Sequence, residues 1–149
     1  MSSIRLRPVD RDNWEECIFL SVRDDQKTFV ASNVYSLAQA RVQEECVPMA
    51  VYRDERMVGF LMYAKDQVEG QYWVYRLMID QRFQGQGIAR QALCELIRDL
   101  GHRSDFEKLR ISYEPDNMAA AHLYQRLGFQ TTGEVIEGEV VAEWIPAQP

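Results

Sequence analysis

The chain has only three cysteines, Cys17, Cys46 and Cys94, and two histidines, His102 and His122. An odd, widely spaced cysteine set builds neither a disulfide framework nor a zinc knuckle, and the histidines stand apart from carboxylate or cysteine ligands. No metal site is expected. Long hydrophobic runs are also missing: nothing approaches the roughly 18 apolar residues of a membrane span, and the N-terminus lacks a charged-then-apolar signal pattern. These absences imply a soluble, cytoplasmic protein that uses no membrane. Basic charge is scarce as well, with 17 Lys and Arg against 23 Asp and Glu and a net charge of −6. A nucleic-acid partner, which calls for a basic patch, is therefore disfavoured, and cationic partners are weakly favoured. There is no internal repeat and no low-complexity tract; only Pro146-Ala147-Gln148-Pro149 reads as a frayed tail.

What is present is a core-forming composition, 46% apolar with 11% aromatics over 149 residues, enough for one ordinary domain spanning 1–149. The most informative segment is Arg82-Phe83-Gln84-Gly85-Gln86-Gly87-Ile88-Ala89. Upstream, Tyr72 to Ile79 is a β-branched and aromatic run of strand length, ended by Asp80. Downstream, Ala89, Ala92, Leu93, Leu96, Ile97 and Leu100 fall on one helical face, and Gly101 is the expected stop. Cys94, beside that face, is expected to pack as a small apolar residue. Two glycines one residue apart let the backbone turn sharply, so that several N–H groups converge on an anion at a helix N-terminus.

No Lys-Ser or Lys-Thr follows the second glycine, so the ammonium and the magnesium-holding hydroxyl of a nucleotide-hydrolysing loop are missing. Arg90 stands where a dinucleotide fold would place its third glycine. What remains is a metal-free diphosphate held by backbone amides, the helix dipole and Arg82 or Arg90.

Arg82-x-x-Gly85-x-Gly87 after a strand resembles the acetyl-CoA pyrophosphate signature of the GNAT superfamily of N-acetyltransferases. About 30 residues later, Asn117-Met118-Ala119-Ala120-Ala121-His122-Leu123-Tyr124-Gln125-Arg126-Leu127-Gly128-Phe129 is similar to that superfamily's Asn-x-x-Ala-x-x-x-Tyr-x-x-x-Gly-Phe segment. The resemblance runs over nearly the whole chain and is clearest from Val47 to Phe129. Within the superfamily the chain looks most like the bacterial diamine and polyamine acetyltransferases.

The order of elements agrees. Ile4 to Arg7 reads as a strand halted by Pro8. Asp10 or Asp12 then caps a helix expected to bury Trp14, Cys17, Ile18 and Val22, and a second helix starts at Ser36 with Gln39 completing a capping box. Val47 to Arg53 and Met57 to Tyr63 pair about Asp54-Glu55-Arg56. After the central strand, loop and helix come a strand at Lys108 to Tyr113 and a helix at Asp116 to Leu127, with Gly128 as the left-handed residue after it. Phe129 to Ile136 and Val140 to Ile145 pair about Glu137-Gly138. The resemblance implies an α/β class with a mixed, mostly antiparallel twisted sheet of six to seven strands, flanked by about four helices and splayed to form an acetyl-CoA cleft.

Acetyl transfer from a thioester to an amine needs a held donor, a neutral amine, stabilisation of the oxyanion and a proton for the leaving thiolate. The backbone amides of Gln84, Gly85, Gln86, Gly87, Ile88 and Ala89 are the candidates for the diphosphate. The resemblance implies that Met78 and Ile79 hydrogen-bond the pantetheine arm through their backbones, that Asn117 binds acetyl-CoA, and that Tyr124 is the general acid. Asn117 and Tyr124 are seven residues apart, almost two helical turns, and so share a face. Packing beside Leu123 and Leu127 is the plainer role for Tyr124 without the motif. The base is open. Polyamine acetyltransferases often carry an acidic residue where Tyr75 stands; this chain departs from that pattern, and Tyr75 is left to shape the amine pocket or to relay a proton through water. Glu114 is the nearest carboxylate expected at the cleft, and an unassisted route through water is the alternative.

Acceptor binding is expected in the first half, from Asp25 with its neighbours Asp24 and Gln26, from Glu45 beside Glu44, and from an aromatic wall of Tyr35 or Tyr75. Asp66 and Glu69, in the loop before the central strand, have a similar claim. The expected partner is a small-molecule amine; an amino acid, an aminoglycoside-like drug or a protein amine are alternative acceptors. A non-catalytic acyl-CoA sensor is the alternative of another class, and its mark would be loss of the loop glycines or of Tyr124. The terminal hairpin, with Val140, Val141 and Trp144, offers an edge or patch for a homodimer, and burial of Trp144 within the monomer is the alternative.

Overall fold

The computed structural model describes residues 3–147, so Gln148 and Pro149 of the expected tail lie outside the described residues. Its elements follow the expected order: β1 (Ile4–Pro8), α1 (Trp14–Phe19), α2 (Asn33–Val42), β2 (Cys46–Arg53), β3 (Arg56–Lys65), β4 (Tyr72–Ile79), α3 (Ile88–Gly101), β5 (Leu109–Tyr113), α4 (Met118–Leu127), β6 (Gln130–Ile136) and β7 (Glu139–Trp144). Short 3₁₀ turns occupy Asp24–Gln26 and Gln81–Phe83.

The seven strands form one sheet in the order β1-β2-β3-β4-β5-β7-β6. Only β4 and β5 run parallel; every other neighbouring pair is antiparallel. Each face of the sheet is covered. Ile88, Ala92, Leu93, Leu96 and Leu100 of α3 and Tyr124 of α4 join Val58, Leu61, Val74, Ile79 and Ile111 in one core. Cys17 and Leu20, with Leu37 and Ala40 of α2, close the other face over Phe60, Met62 and Met78. Burying each large α3 side chain contributes about 1.5–3 kcal/mol.

Two-residue turns set the hairpin registers. Arg53 faces Arg56 across a turn whose Asp54 has φ 55°, and Ile136 faces Glu139 across Glu137 (φ 50°) and Gly138 (φ 82°). The second turn has the doubly positive φ that matches strand twist.

The N-terminal helices depart from expectation. α1 is only six residues, buries Cys17 alone and leaves Trp14 44% exposed, while Val22 lies beyond it. The helix N-cap is Asn13; Asp10 instead accepts the amides of Asp12 and Asn13 through Oδ1 and shapes the turn leading in. α2 begins three residues before the expected start, with Ser32 as N-cap accepting the Tyr35 amide at 3.1 Å. Ser36 is inside that helix and donates to the Ser32 carbonyl, and Gln39 bonds Gln43 and Arg76 rather than a cap. Cys94 is exposed, because it sits just off the stripe that α3 buries. Gly101 is the last helical residue, not a left-handed stop, whereas Gly128 after α4 has φ 101° as expected. β7 is inserted between β5 and β6, so Val140, Val141 and Trp144 are interior to the sheet and β6 is the edge.

Candidate active site

The cleft originates in a failure of pairing. β4 and β5 are bonded only from Tyr72–Val74 to Leu109–Ile111, and beyond those residues the two parallel strands splay apart. A β-bulge sharpens the opening: Met62 faces Arg76 and Tyr63 faces Val74, which leaves Tyr75 as the extra residue of β4. The bulge changes side-chain parity along the strand. Val74 and Leu77 pack with the α3–α4 core, whereas Tyr75 and Met78 pack with the α1–α2 side. The resulting cleft, about 1090 Å³, lies at the upper end of the size range for ligand sites.

One wall is the glycine loop. Gly85 and Gly87 have φ of 78° and 76°, a conformation that costs an L-residue about 1–2 kcal/mol. A Cβ at either would meet nothing within 4 Å, so these glycines are there for backbone shape, and the space above them is open. No side chain caps the first turn of α3. Its amides and positive dipole end suit an oxyanion, which is what a diphosphate presents.

The loop is held from beneath. Asp80, 3% exposed, accepts the Ser21 amide at 2.9 Å, the Arg82 amide at 3.0 Å and the Arg82 Nε at 2.7 Å. Burial alone would raise its pKa, but the hydrogen bonds from Arg82 and Ser21 outweigh that and hold it below the usual value. The Gln84 side chain donates to the Ile79 carbonyl and the Gln26 side chain, each at 2.9 Å, and accepts from Arg23 Nη1 at 2.9 Å. Gln86 is tied outward to Arg53. Arg82, occupied by Asp80, does not line the cleft, whereas Arg90 does.

The opposite wall is α4 with β5. Asn117 caps α4, its Oδ1 accepting the Ala120 amide at 3.2 Å, and it lines the cleft together with Tyr124. Tyr124 is 8% exposed, with its ring centroid 5.5 Å from that of Tyr113 and 5.7 Å from that of Phe129. Burial first, then the neighbouring Tyr113 and Glu139, push its phenol above the ordinary value. Its hydroxyl therefore stays protonated at neutral pH.

Met78, Ile79, Gly85, Gly87, Ile88, Ala89, Asn117 and Tyr124 all border the one cleft, as do Gln84, Asp25 and Tyr75. Gln86, Glu45 and Glu114 are not among its lining residues. Burial, with Cys46, Asp66 and Glu45 adding, raises the Tyr75 phenol against the opposing pull of Arg76. Sequence reasoning missed Glu139 and Ser112, which line the cleft joined by a 2.7 Å hydrogen bond from Ser112 Oγ to Glu139 Oε1. It also missed Arg76, which lines the cleft, donates to the Gln39 side chain and the Tyr75 carbonyl, and stacks on Tyr35. No sequence signal marks these residues, because the splay and the bulge select them. Among the described residues, no three His, Cys, Asp or Glu side chains converge as metal ligands would.

Known proteins share this fold. Residues 8–129 match the family described as the Acetyltransferase (GNAT) family. The chain is 32% identical over 146 residues to a protein of Bacillus subtilis (strain 168) named spermine/spermidine N(1)-acetyltransferase, covering 93% of this chain and 96% of that one. Among solved structures it superposes on an aminoglycoside acetyltransferase in complex with coenzyme A (TM-score 0.81, 14% identity, 96% and 95% of the two chains). It also superposes on a spermidine N-acetyltransferase from Vibrio cholerae in complex with CoA and spermine (TM-score 0.70, 17% identity, 95% and 93%). At such identities these two structures speak for the fold.

Proposed function

The chain belongs to the GNAT acetyltransferase family, and from that premise we propose that it transfers the acetyl group of acetyl-CoA to a primary amine of a diamine or polyamine. The single observation that carries the chemistry is the split between β4 and β5, with the glycine loop on one side and Tyr124 on the other. Acetyl-CoA supplies the activated thioester. The amides from Gly85 to Ala89 and the N-terminal end of α3 bind its diphosphate, with Arg90 beside them. Met78 and Ile79 border the stretch of β4 that β5 has left, along which an extended arm would lie; the Ile79 carbonyl there already accepts the Gln84 side chain. Asn117 fixes the start of α4 and thereby the position of Tyr124 two turns on. Tyr124 holds a proton on its hydroxyl for the departing sulfur, in a site dry enough to keep the phenol neutral.

The acceptor side supports a cationic, flexible amine. Asp25, Asp116, Glu137 and Glu139 bring carboxylates to the cleft, and Tyr75 brings an aromatic face that attracts ammonium groups. The relative from Bacillus subtilis, similar over almost its full length, is named for such substrates. Thiol release from acetyl-CoA across spermine, spermidine, putrescine, an aminoglycoside and a peptide N-terminus tests this choice. Preferred turnover of a polyamine is expected; turnover confined to another amine would sink it. Unpaired thiols at Cys17, Cys46 and Cys94 suit a reducing, cytoplasmic setting. A homodimer through the β6 edge, where Val135 and Ile136 are exposed, fits the same reading and is checked by sedimentation equilibrium.

A further inference from the structure

We propose that Glu139 is the catalytic carboxylate that receives the acceptor nitrogen and takes its proton, and that Ser112 is the residue that positions it. The proposal rests on the acetyltransferase reading and fills the role that Glu114, which does not line the cleft, leaves empty.

The sheet has two working faces at the split. Leu109, Ile111 and Tyr113 of β5 pack with α3 and α4, on the side of the glycine loop and Tyr124. Ser112 alternates with Ile111 and Tyr113, so its side chain leaves the opposite face, the one covered by α1 and α2. Val141 faces Ser112 across the β5–β7 register, and Glu139, two residues before Val141 on β7, shares that face. The hydrogen bond between Ser112 Oγ and Glu139 Oε1 at 2.7 Å agrees with this placement. Tyr75, turned by the bulge, packs on the same α1–α2 side from β4. An amine entering between Tyr75 and Glu139 therefore meets one face of a thioester carbonyl held in the split, and the tetrahedral carbon that forms keeps both its nitrogen and its sulfur within the cleft that Tyr124 also lines.

Ser112 occupies Oε1 and fixes the carboxylate rotamer, leaving Oε2 for the acceptor. The proton balance closes. One N–H bond of the acceptor ammonium breaks and its proton goes to Glu139. The freed lone pair forms the C–N bond, and the C–S bond breaks with its electron pair on sulfur, which takes the Tyr124 proton. The second nitrogen proton returns to Tyr124 as the amide forms, and Glu139 releases its proton to water. Glu139 also acts on the acceptor before any chemistry, because a carboxylate beside a desolvated ammonium binds it.

The test uses the full chain with spermidine, or with whichever amine the wild type acetylates if it is not a polyamine. That substitution separates failure of the substrate reading from failure of this one. Glu139→Gln is expected to lower kcat/KM by about 100-fold, in the range of general-base losses, with the acetyl-CoA dissociation constant unchanged. Calorimetry without acetyl-CoA should show amine binding at least tenfold weaker. Glu139→Ala should recover turnover in proportion to added formate, a response that a purely structural role would not give. Ser112→Ala should lower kcat severalfold without changing the melting temperature, and Ser112→Thr should restore it. A kcat/KM within threefold of wild type in Glu139→Gln would overturn the proposal. So would a large loss with unchanged amine binding and no formate response. If Glu139→Ala does not fold, the isosteric Gln variant decides through its kcat/KM and its amine affinity.

Discussion

A Cβ added at Gly59 of β3 would lie 2.6 Å from the Met78 carbonyl oxygen and 2.8 Å from Ile79 Cδ1. The glycine thus lets β3 press against the end of β4 that borders the cleft. Gly59→Ala must push that strand end outward, at a cost of about 1–3 kcal/mol for overpacking. We expect a lower melting temperature by roughly 2–4 °C for each kcal/mol at this chain length. The same displacement should raise the acetyl-CoA dissociation constant. A stable variant that binds acetyl-CoA normally would show that the strand end does not position the donor.

Gly87 presents the opposite case, since a new Cβ meets nothing and only its φ of 76° resists substitution. Gly87→Ala should cost about 1–2 kcal/mol of stability from the left-handed conformation. It should also weaken acetyl-CoA at least tenfold by crowding the amides, while leaving amine binding intact. Calorimetry with each ligand separately checks both halves.

Tyr124→Phe keeps the ring between Tyr113 and Phe129 and removes only the hydroxyl. A fall in kcat of tenfold or more is expected, with acetyl-CoA affinity within twofold of wild type. Burial pushes the wild-type phenol up, so the acid form persists at every pH below the ordinary tyrosine value near 10. Loss of kcat through Tyr124 should therefore begin only above that pH. A basic limb near neutrality that vanished in Tyr124→Phe would contradict the assignment.

Asp80 links stability to pH. Its folded pKa lies below its unfolded one, so the stabilisation is complete above the unfolded value near 3.9 and is lost as pH falls through the lowered folded value. Asp80→Asn should destabilise by about 1–3 kcal/mol at pH 7, because the Arg82 and Ser21 donors lose a charged acceptor. In urea titrations the gap between variant and wild type should narrow from pH 4 downward. An equal gap at pH 7 and pH 3 would exclude the ionised carboxylate as its source.

The side of the cleft built from the glycine loop and α4 was legible in the sequence because its determinants are local. Left-handed glycines, an amphipathic helix and a seven-residue spacing all act within a few turns of chain, and Gly85, Gly87, Asn117 and Tyr124 border the cleft as expected. The rest of the cleft was not. Asp25 and Tyr75 border the cleft, but Glu45 and Glu114 do not. α2 was misplaced because two serines four residues apart both offer caps, and the choice of Ser32 goes with the burial of Asn33, whose side chain donates to the Cys17 carbonyl at 2.9 Å.

By itself the sequence determined the family, the order of strands and helices and the phosphate-type loop, since periodicity, turn chemistry and glycine torsions are written into short segments. Only the tertiary structure decided which face each β4 residue presents, because a bulge opposite Met62 shifts parity in a way that alternation cannot foresee. It also decided where β7 lies. Inserted beside β5, that strand brings Glu139 to Ser112 from 27 residues away, a juxtaposition that depends on strand order and register.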